Sequence, residues 1–167
     1  SHGTDIRLLT KIPFVYAIFK SVIKRAERWT VVSGYLRDSI LTKDEKIAEK
    51  IKVIPLPNDE TLFNPDPAIR KEPYLVVAVS RLTIQKRLDI LLKAIKMVAE
   101  KIPEIRLEIY GAGPERIPLC ELIKAEGLEG RAMIIDPVPQ EKLCKIYNRA
   151  AVTVLNSINE GFGLALT

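Results

Sequence analysis

Residues 74–113, YLVVAVSRLTIQKRLDILLKAIKMVAEKIPEIRLEIYGAG, decide the fold. Tyr74–Val79 is an apolar run of strand length and reads as a buried strand. Leu88, Leu91, Leu92, Ile95, Val98, Ala99 and Ile102 then recur at helical spacing, marking a core-facing helix that Pro103 ends. Ile105–Tyr110 is a second strand, and Gly111-Ala112-Gly113-Pro114 turns it into a helix reaching about Glu126. Ala132–Ile135, a helix over Gln140–Arg149 and a strand over Val152–Leu155 continue the series. Strands alternating with helices of this length predict β-α-β units. The fold class is therefore α/β, a Rossmann-like parallel sheet with helices on both faces.

Upstream, the texture differs. Residues 12–28 place Val15, Ile18, Phe19, Val22, Ile23 and Ala26 at helical spacing, with Lys20, Lys24, Arg25 and Arg28 opposite. Trp29–Ser33 reads as a short strand and Ser33 as the cap of a helix to about Leu41. A polar turn over Asp44–Lys50 leads to a strand over Ile51–Ile54. Residues 55–73 then hold five of the eleven prolines without periodicity, which reads as a boundary, since proline removes ladder donors. The predicted organisation is the tail of a second α/β domain over 1–54, a linker over 55–73, and the main domain over 74–167.

Composition bounds the function. At 167 residues with 47% hydrophobic and 28% charged residues, the chain is a globular sequence of about one domain. No apolar run approaches the roughly 20 residues of a membrane span. Cys120 and Cys144 both fall in predicted helices, so neither a disulfide framework nor a zinc site is indicated, and a cytoplasmic protein is expected. The single histidine, His2, excludes multi-histidine metal sites. The net charge of +5 is concentrated: residues 7–28 carry six cations against Glu27 alone, and the remainder balances. A uniformly basic nucleic-acid binder would not look like this, and no nucleic-acid partner is expected. A basic face beside an apolar one does suit peripheral contact with an anionic membrane, although the same apolar face could simply pack in the core.

Four motifs sit where an open parallel sheet binds ligands, at strand ends and helix starts. Ser80-Arg81-Leu82-Thr83-Ile84-Gln85-Lys86-Arg87 carries a guanidinium and an ammonium five residues apart, suited to a phosphate or diphosphate or merely solvated. Gly111-Ala112-Gly113-Pro114 resembles the start of a dinucleotide fingerprint, yet Arg116 stands in the third glycine's place, which disfavours a nicotinamide-dependent enzyme. Glu160-Gly161-Phe162-Gly163 offers a carboxylate to sugar hydroxyls and exposes backbone N–H groups, or else forms a plain turn. His2-Gly3-Thr4-Asp5 opens the chain, its histidine a candidate catalyst or a solvated terminal residue.

Taken in order, H-G-T-D, V-S, I-P with the proline-rich crossover, S-R-L-x-x-x-K, G-A-G-P-E and E-G-F-G resemble the retaining family 4 (group 1) nucleotide-sugar glycosyltransferases of GT-B fold. The resemblance runs from His2 to Thr167. Its most specific element is a pair of glutamates separated by seven residues; Glu160 matches the first, and the second would occupy position 168. The resemblance implies a retaining transfer of sugar from a UDP- or GDP-linked donor to a carbohydrate or lipid-linked acceptor, with no metal required. Arg81 and Lys86 would neutralise the donor diphosphate. Gly111 and Gly113 would allow close packing beside the phosphates, and Gly161, Phe162 and Gly163 would line the sugar with their backbone. Glu160 and His2 would be the catalytic pair around the donor sugar, and the nucleobase would lie near Asp136–Pro139.

The sequence departs from the family pattern at Ser80, Arg87 and Asp136, each usually glycine, and at Asn156, usually proline. Arg87 is expected to narrow the diphosphate approach or redirect its loop. Much of the acceptor domain is missing from the match, so the chain is expected to be an incomplete fragment, catalytically silent and prone to self-association. The alternative is a non-catalytic Rossmann-like remnant that binds a nucleotide or nothing.

Overall fold

The computed structural model describes residues 13–41, 45–158, 160–163 and 165; His2 and the rest of its motif lie outside the described residues. The chain divides into two compact units, Ser1–Pro57 with Glu160–Leu164, and Asn58–Asn159 with Ala165–Thr167.

In the first unit, helix α1 (Pro13–Arg25) precedes strand β1 (Trp29–Val31), helix α2 (Gly34–Leu41), a 3₁₀ turn (Glu45–Lys50) and strand β2 (Ile51–Val53). β1 and β2 pair in parallel, Trp29 opposite Ile51 and Val31 opposite Val53. The strand predicted to Ser33 stops at Val31 because Ser33 serves the next helix: its Oγ accepts the Leu36 N–H at 3.3 Å. Ile23, Val31, Leu36, Ile40, Ile47 and Ile51 form the buried core.

The second unit carries the predicted alternation. Strand β3 (Glu72–Val79) is followed by a 3₁₀ turn (Ile84–Lys86) and helix α3 (Leu88–Ala99), then β4 (Arg106–Tyr110), α4 (Arg116–Ala125), β5 (Ala132–Ile135), α5 (Gln140–Arg149) and β6 (Ala150–Thr153). All four strands are parallel, in the order β5-β4-β3-β6. Alternation sorts the side chains to two faces. Val76, Ala78, Leu107 and Ile109 meet Leu88, Leu91, Leu92 and Ile95 of α3 and Leu119 and Ile123 of α4. Leu75, Val77 and Tyr110 point the other way, toward Ile146 of α5. Each fully buried aliphatic side chain contributes about 1.5–3 kcal/mol.

Several boundaries move from expectation. β3 starts at Glu72 and takes in Pro73, whose missing N–H is tolerated because the pairing with β6 shifts register between Glu72 and Val76. α3 ends at Ala99, where the Lys101 and Ile102 amides both turn back to the Val98 carbonyl ahead of Pro103. β6 begins at Ala150, directly on the end of α5, rather than at Val152.

Candidate active site

At the carboxyl ends of β3, β4 and β5 the second unit opens a cleft of about 280 Å³. Val79, Ser80 and Arg81 come from the end of β3, Tyr110, Gly111 and Ala112 from the end of β4, and Pro137 and Val138 from beyond β5, with Leu143 of α5 closing one side. Such a position is where open α/β sheets take ligands, because the chain leaves the ladder and its polar groups turn outward.

The ladder persists past the strands. The Ser80 N–H donates to the Tyr110 carbonyl at 3.1 Å, Leu82 N–H to Ala112 at 2.9 Å, and Gly111 N–H to Ile135 at 3.0 Å. This close approach is what the two glycines serve. A Cβ on Gly111 would stand 1.9 Å from the Ser80 carbonyl oxygen, and one on Gly113, at φ 154°, would stand 2.3 Å from that of Leu82. Both glycines therefore make room for the neighbouring loop, a packing requirement that holds with or without phosphate.

Arg81 is exposed at the cleft and makes no ion pair with any described residue. Lys86 is half-buried at the end of the 3₁₀ turn on the same β3–α3 loop. Arg87 follows in the left-handed region, at φ 47° and ψ 38°, the single non-glycine residue with positive φ among those described. The loop thus keeps a path that glycine would favour, with two local supports. Arg87 Nε and Nη2 each donate to Asp89 at 3.1 Å, and its carbonyl accepts the Asn156 side-chain amide. Two departures from the family pattern, Arg87 and Asn156, meet here. Another departure, Asp136, pairs at 2.7 Å with Arg116, the first residue of α4. Asp136 is the residue before Pro137, so the expected nucleobase segment 136–139 does reach the cleft.

Glu160, Gly161, Phe162 and Gly163 belong to the first unit. Gly161 is buried, Gly163 adopts φ 81°, and the Phe162 ring packs on the first unit's core. Phe162 thus has a side-chain use beyond the backbone role expected of it.

A second group carries no motif in the sequence. Glu108, 7% exposed in the middle of β4, accepts the Tyr110 hydroxyl at 2.6 Å and also pairs with Arg149. Burial and then the hydrogen bond to Glu108 push the Tyr110 phenol up to about 12. Glu72, held chiefly by its hydrogen bond from Arg106, stays below the usual carboxylate range. One signal does point to the group: a carboxylate alternating with a tyrosine inside an apolar strand needs partners. No group of three or more His, Cys, Asp or Glu side chains placed to hold a metal occurs among the described residues.

The chain is similar to several known proteins. It is 30% identical over 118 residues to one subunit of the human phosphatidylinositol N-acetylglucosaminyltransferase, covering 71% of this chain and 24% of that protein. It is 32% identical over 117 residues to the GtfA subunit of the UDP-N-acetylglucosamine–peptide N-acetylglucosaminyltransferase of Streptococcus pneumoniae, covering 70% of this chain and 22% of that one. Among solved structures, the pneumococcal O-GlcNAc transferase GtfA in complex with UDP and GlcNAc superposes with a TM-score of 0.78 at 26% identity, over 92% of this chain and 30% of that chain. Sucrose-phosphate synthase from Thermosynechococcus elongatus gives 0.77 at 20% identity, over 99% and 45%, a likeness of fold alone. The chain spans about a quarter of the length of the relatives it matches in sequence, and its fold is the parallel α/β fold of GT-B glycosyltransferases. The model of the glycosyl transferases group 1 matches residues 59–167, from the proline-rich crossover through every strand of the four-stranded sheet, and the chain belongs to that family.

Proposed function

We propose that the protein transfers a sugar from a UDP-linked donor to an acceptor hydroxyl with retention at the anomeric carbon, and that the second unit holds the donor. The observation that carries this reading is the cleft at the ends of β3–β5 with the exposed Arg81 at its lip. The names of two relatives, both N-acetylglucosaminyltransferases, favour N-acetylglucosamine as the sugar. Residues 1–54 would supply the acceptor side, 55–73 the crossover and 74–167 the donor side.

In this reading the bond between the anomeric carbon and the diphosphate oxygen breaks as the acceptor oxygen bonds to the same face of that carbon. The acceptor proton passes to the departing phosphate. Arg81 and Lys86 stabilise the charge that develops there, which preplaced cations do without reorganising. The sugar-facing roles of Glu160, Gly161, Phe162, Gly163 and His2 rest on the family pattern of the sequence alone.

Calorimetry with UDP tests the donor site. Arg81→Ala and Lys86→Ala should each weaken binding by about 1.5–3 kcal/mol, the range for hydrogen bonds to charged groups. Unchanged affinity in both removes them from the site. Sugar transfer is expected of a protein that carries the whole acceptor domain and not of the 167-residue chain alone, a contrast that a coupled assay over several UDP-sugars would register.

The reading extends to an anionic lipid surface at α1. Phe14, Ile18 and Val22 are exposed on successive turns of that helix, beside the exposed Lys24 and Arg25. Among the described residues no helix is long and apolar enough to cross a membrane. Salt-sensitive sedimentation with phosphatidylserine vesicles is expected, at about 1 kcal/mol per surface cation. Its absence would assign the stripe to protein packing.

A further inference from the structure

Below the cleft, a run of charged side chains crosses the sheet from one end of its strands to the other, and nothing in the donor reading uses it. Glu72 and Arg106, the first residues of β3 and β4, pair with each other. Glu72 also accepts Nη1 of Arg149 at 3.1 Å, and Arg149, the last residue of α5, reaches Glu108 with Nη2. Glu108 in turn accepts the Tyr110 hydroxyl, and the Tyr110 oxygen accepts Arg149 Nη2 at 3.3 Å. Tyr110 ends β4 and lines the cleft.

Stability is a poor reason for this arrangement. Glu108 lies between Leu107 and Ile109, both fully buried on the opposite face. Exchanging a buried ion pair for well-packed apolar side chains is often neutral or stabilising. What the ions secure is direction. A tyrosine ring turns about two torsions, and apolar neighbours alone restrain both only by packing. Here the phenol oxygen is held as donor and as acceptor at once, by two groups that are themselves paired. Tyr110 also shares a buried cluster with Leu75 and Val77, against which Val138 and Ile146 pack.

We infer that Arg149 and Glu108 are positioning residues for the donor cleft, anchoring the side chain of Tyr110, a residue that lines it, so that the fit of a nucleoside diphosphate is set from the far end of the strands. The inference rests on the donor reading of the cleft.

The test compares wild type with Tyr110→Phe, Glu108→Gln, Arg149→Met and Arg149→Lys in the 167-residue chain. UDP affinity is measured by calorimetry well below each variant's melting temperature, alongside that temperature. Tyr110→Phe keeps the ring and its volume, so it folds even where the charge variants do not. It should bind UDP roughly threefold to tenfold more weakly, the effect of one hydrogen bond. Arg149→Met should lose a similar factor although it never touches the cleft, and Arg149→Lys should recover part of it. A purely structural role predicts lower melting temperatures with unchanged affinity, and that result in Tyr110→Phe and Arg149→Met overturns the positioning role alone. A wild-type chain that does not bind UDP overturns the donor reading and this inference with it.

Discussion

Arg87 shows how a position suited to glycine tolerates the longest basic side chain. A left-handed backbone costs an L-residue about 1–2 kcal/mol. Against this stand the solvent-screened ion pair with Asp89 and the greater entropy glycine would bring to the unfolded chain, the latter at about 0.4–1 kcal/mol. These terms nearly cancel, so Arg87→Gly is expected to shift stability by less than about 1 kcal/mol in urea titrations. Asn156→Ala removes one donor from the Arg87 carbonyl, which keeps the Ile90 N–H at 3.0 Å, and should cost at most about 1 kcal/mol. A gain above about 2 kcal/mol in Arg87→Gly would show that the strain is not offset. The departure at 87 is visible in the sequence, but its meeting with Asn156 is not, because a contact spanning 69 positions depends on where β6 delivers the chain. Arg81 is legible at a strand end because the strand before it and the helix after it fix the loop between them. The side chain of Phe162 is not, because E-G-F-G carries no local sign of which unit it joins.

Within β4, alternation sends Leu107 and Ile109 to one face and Glu108 and Tyr110 to the other. Period-two patterning makes the strand legible and its core face with it. The ionic face is harder to read, since its partners Glu72 and Arg149 come from the start of one strand and the end of a later helix. A consequence follows for alkaline solution. The folded-state Tyr110 phenol titrates near 12, above the ordinary value of 10, so its contribution to stability is complete below pH 10 and is lost as pH rises toward 12. Urea midpoints of wild type should therefore fall relative to those of Tyr110→Phe across that window. Parallel curves would mean that the phenol titrates as it does in the unfolded chain. At the other end, α5 matches its predicted bounds to the residue, while β6 is displaced because its first two residues, Ala150 and Ala151, carry little strand signal.

At the scale of the molecule, two cores of unequal size share one chain. The first unit rests on two three-residue strands and a small cluster around Val31 and Leu36, the second on a four-stranded sheet with helices on both faces. Trp29, the sole tryptophan, packs against the smaller core. Its fluorescence is expected to change at lower urea than the far-ultraviolet circular dichroism, to which the larger unit contributes most; coincident midpoints would mean that the units unfold together. The strand order β5-β4-β3-β6 carries a further consequence, in time rather than in space. β3 leaves the ribosome first of the four, and β4 soon lies along one of its edges. The other edge receives Val152 opposite Val76 only after both intervening β-α repeats have been made. Closing so long a loop is slow, and an unpaired apolar strand edge recruits other chains meanwhile. A nascent polypeptide halted before residue 150 would thus hold Leu75, Val76 and Val77 along a bare edge, a target for chaperones that vanishes once Ala150–Thr153 docks.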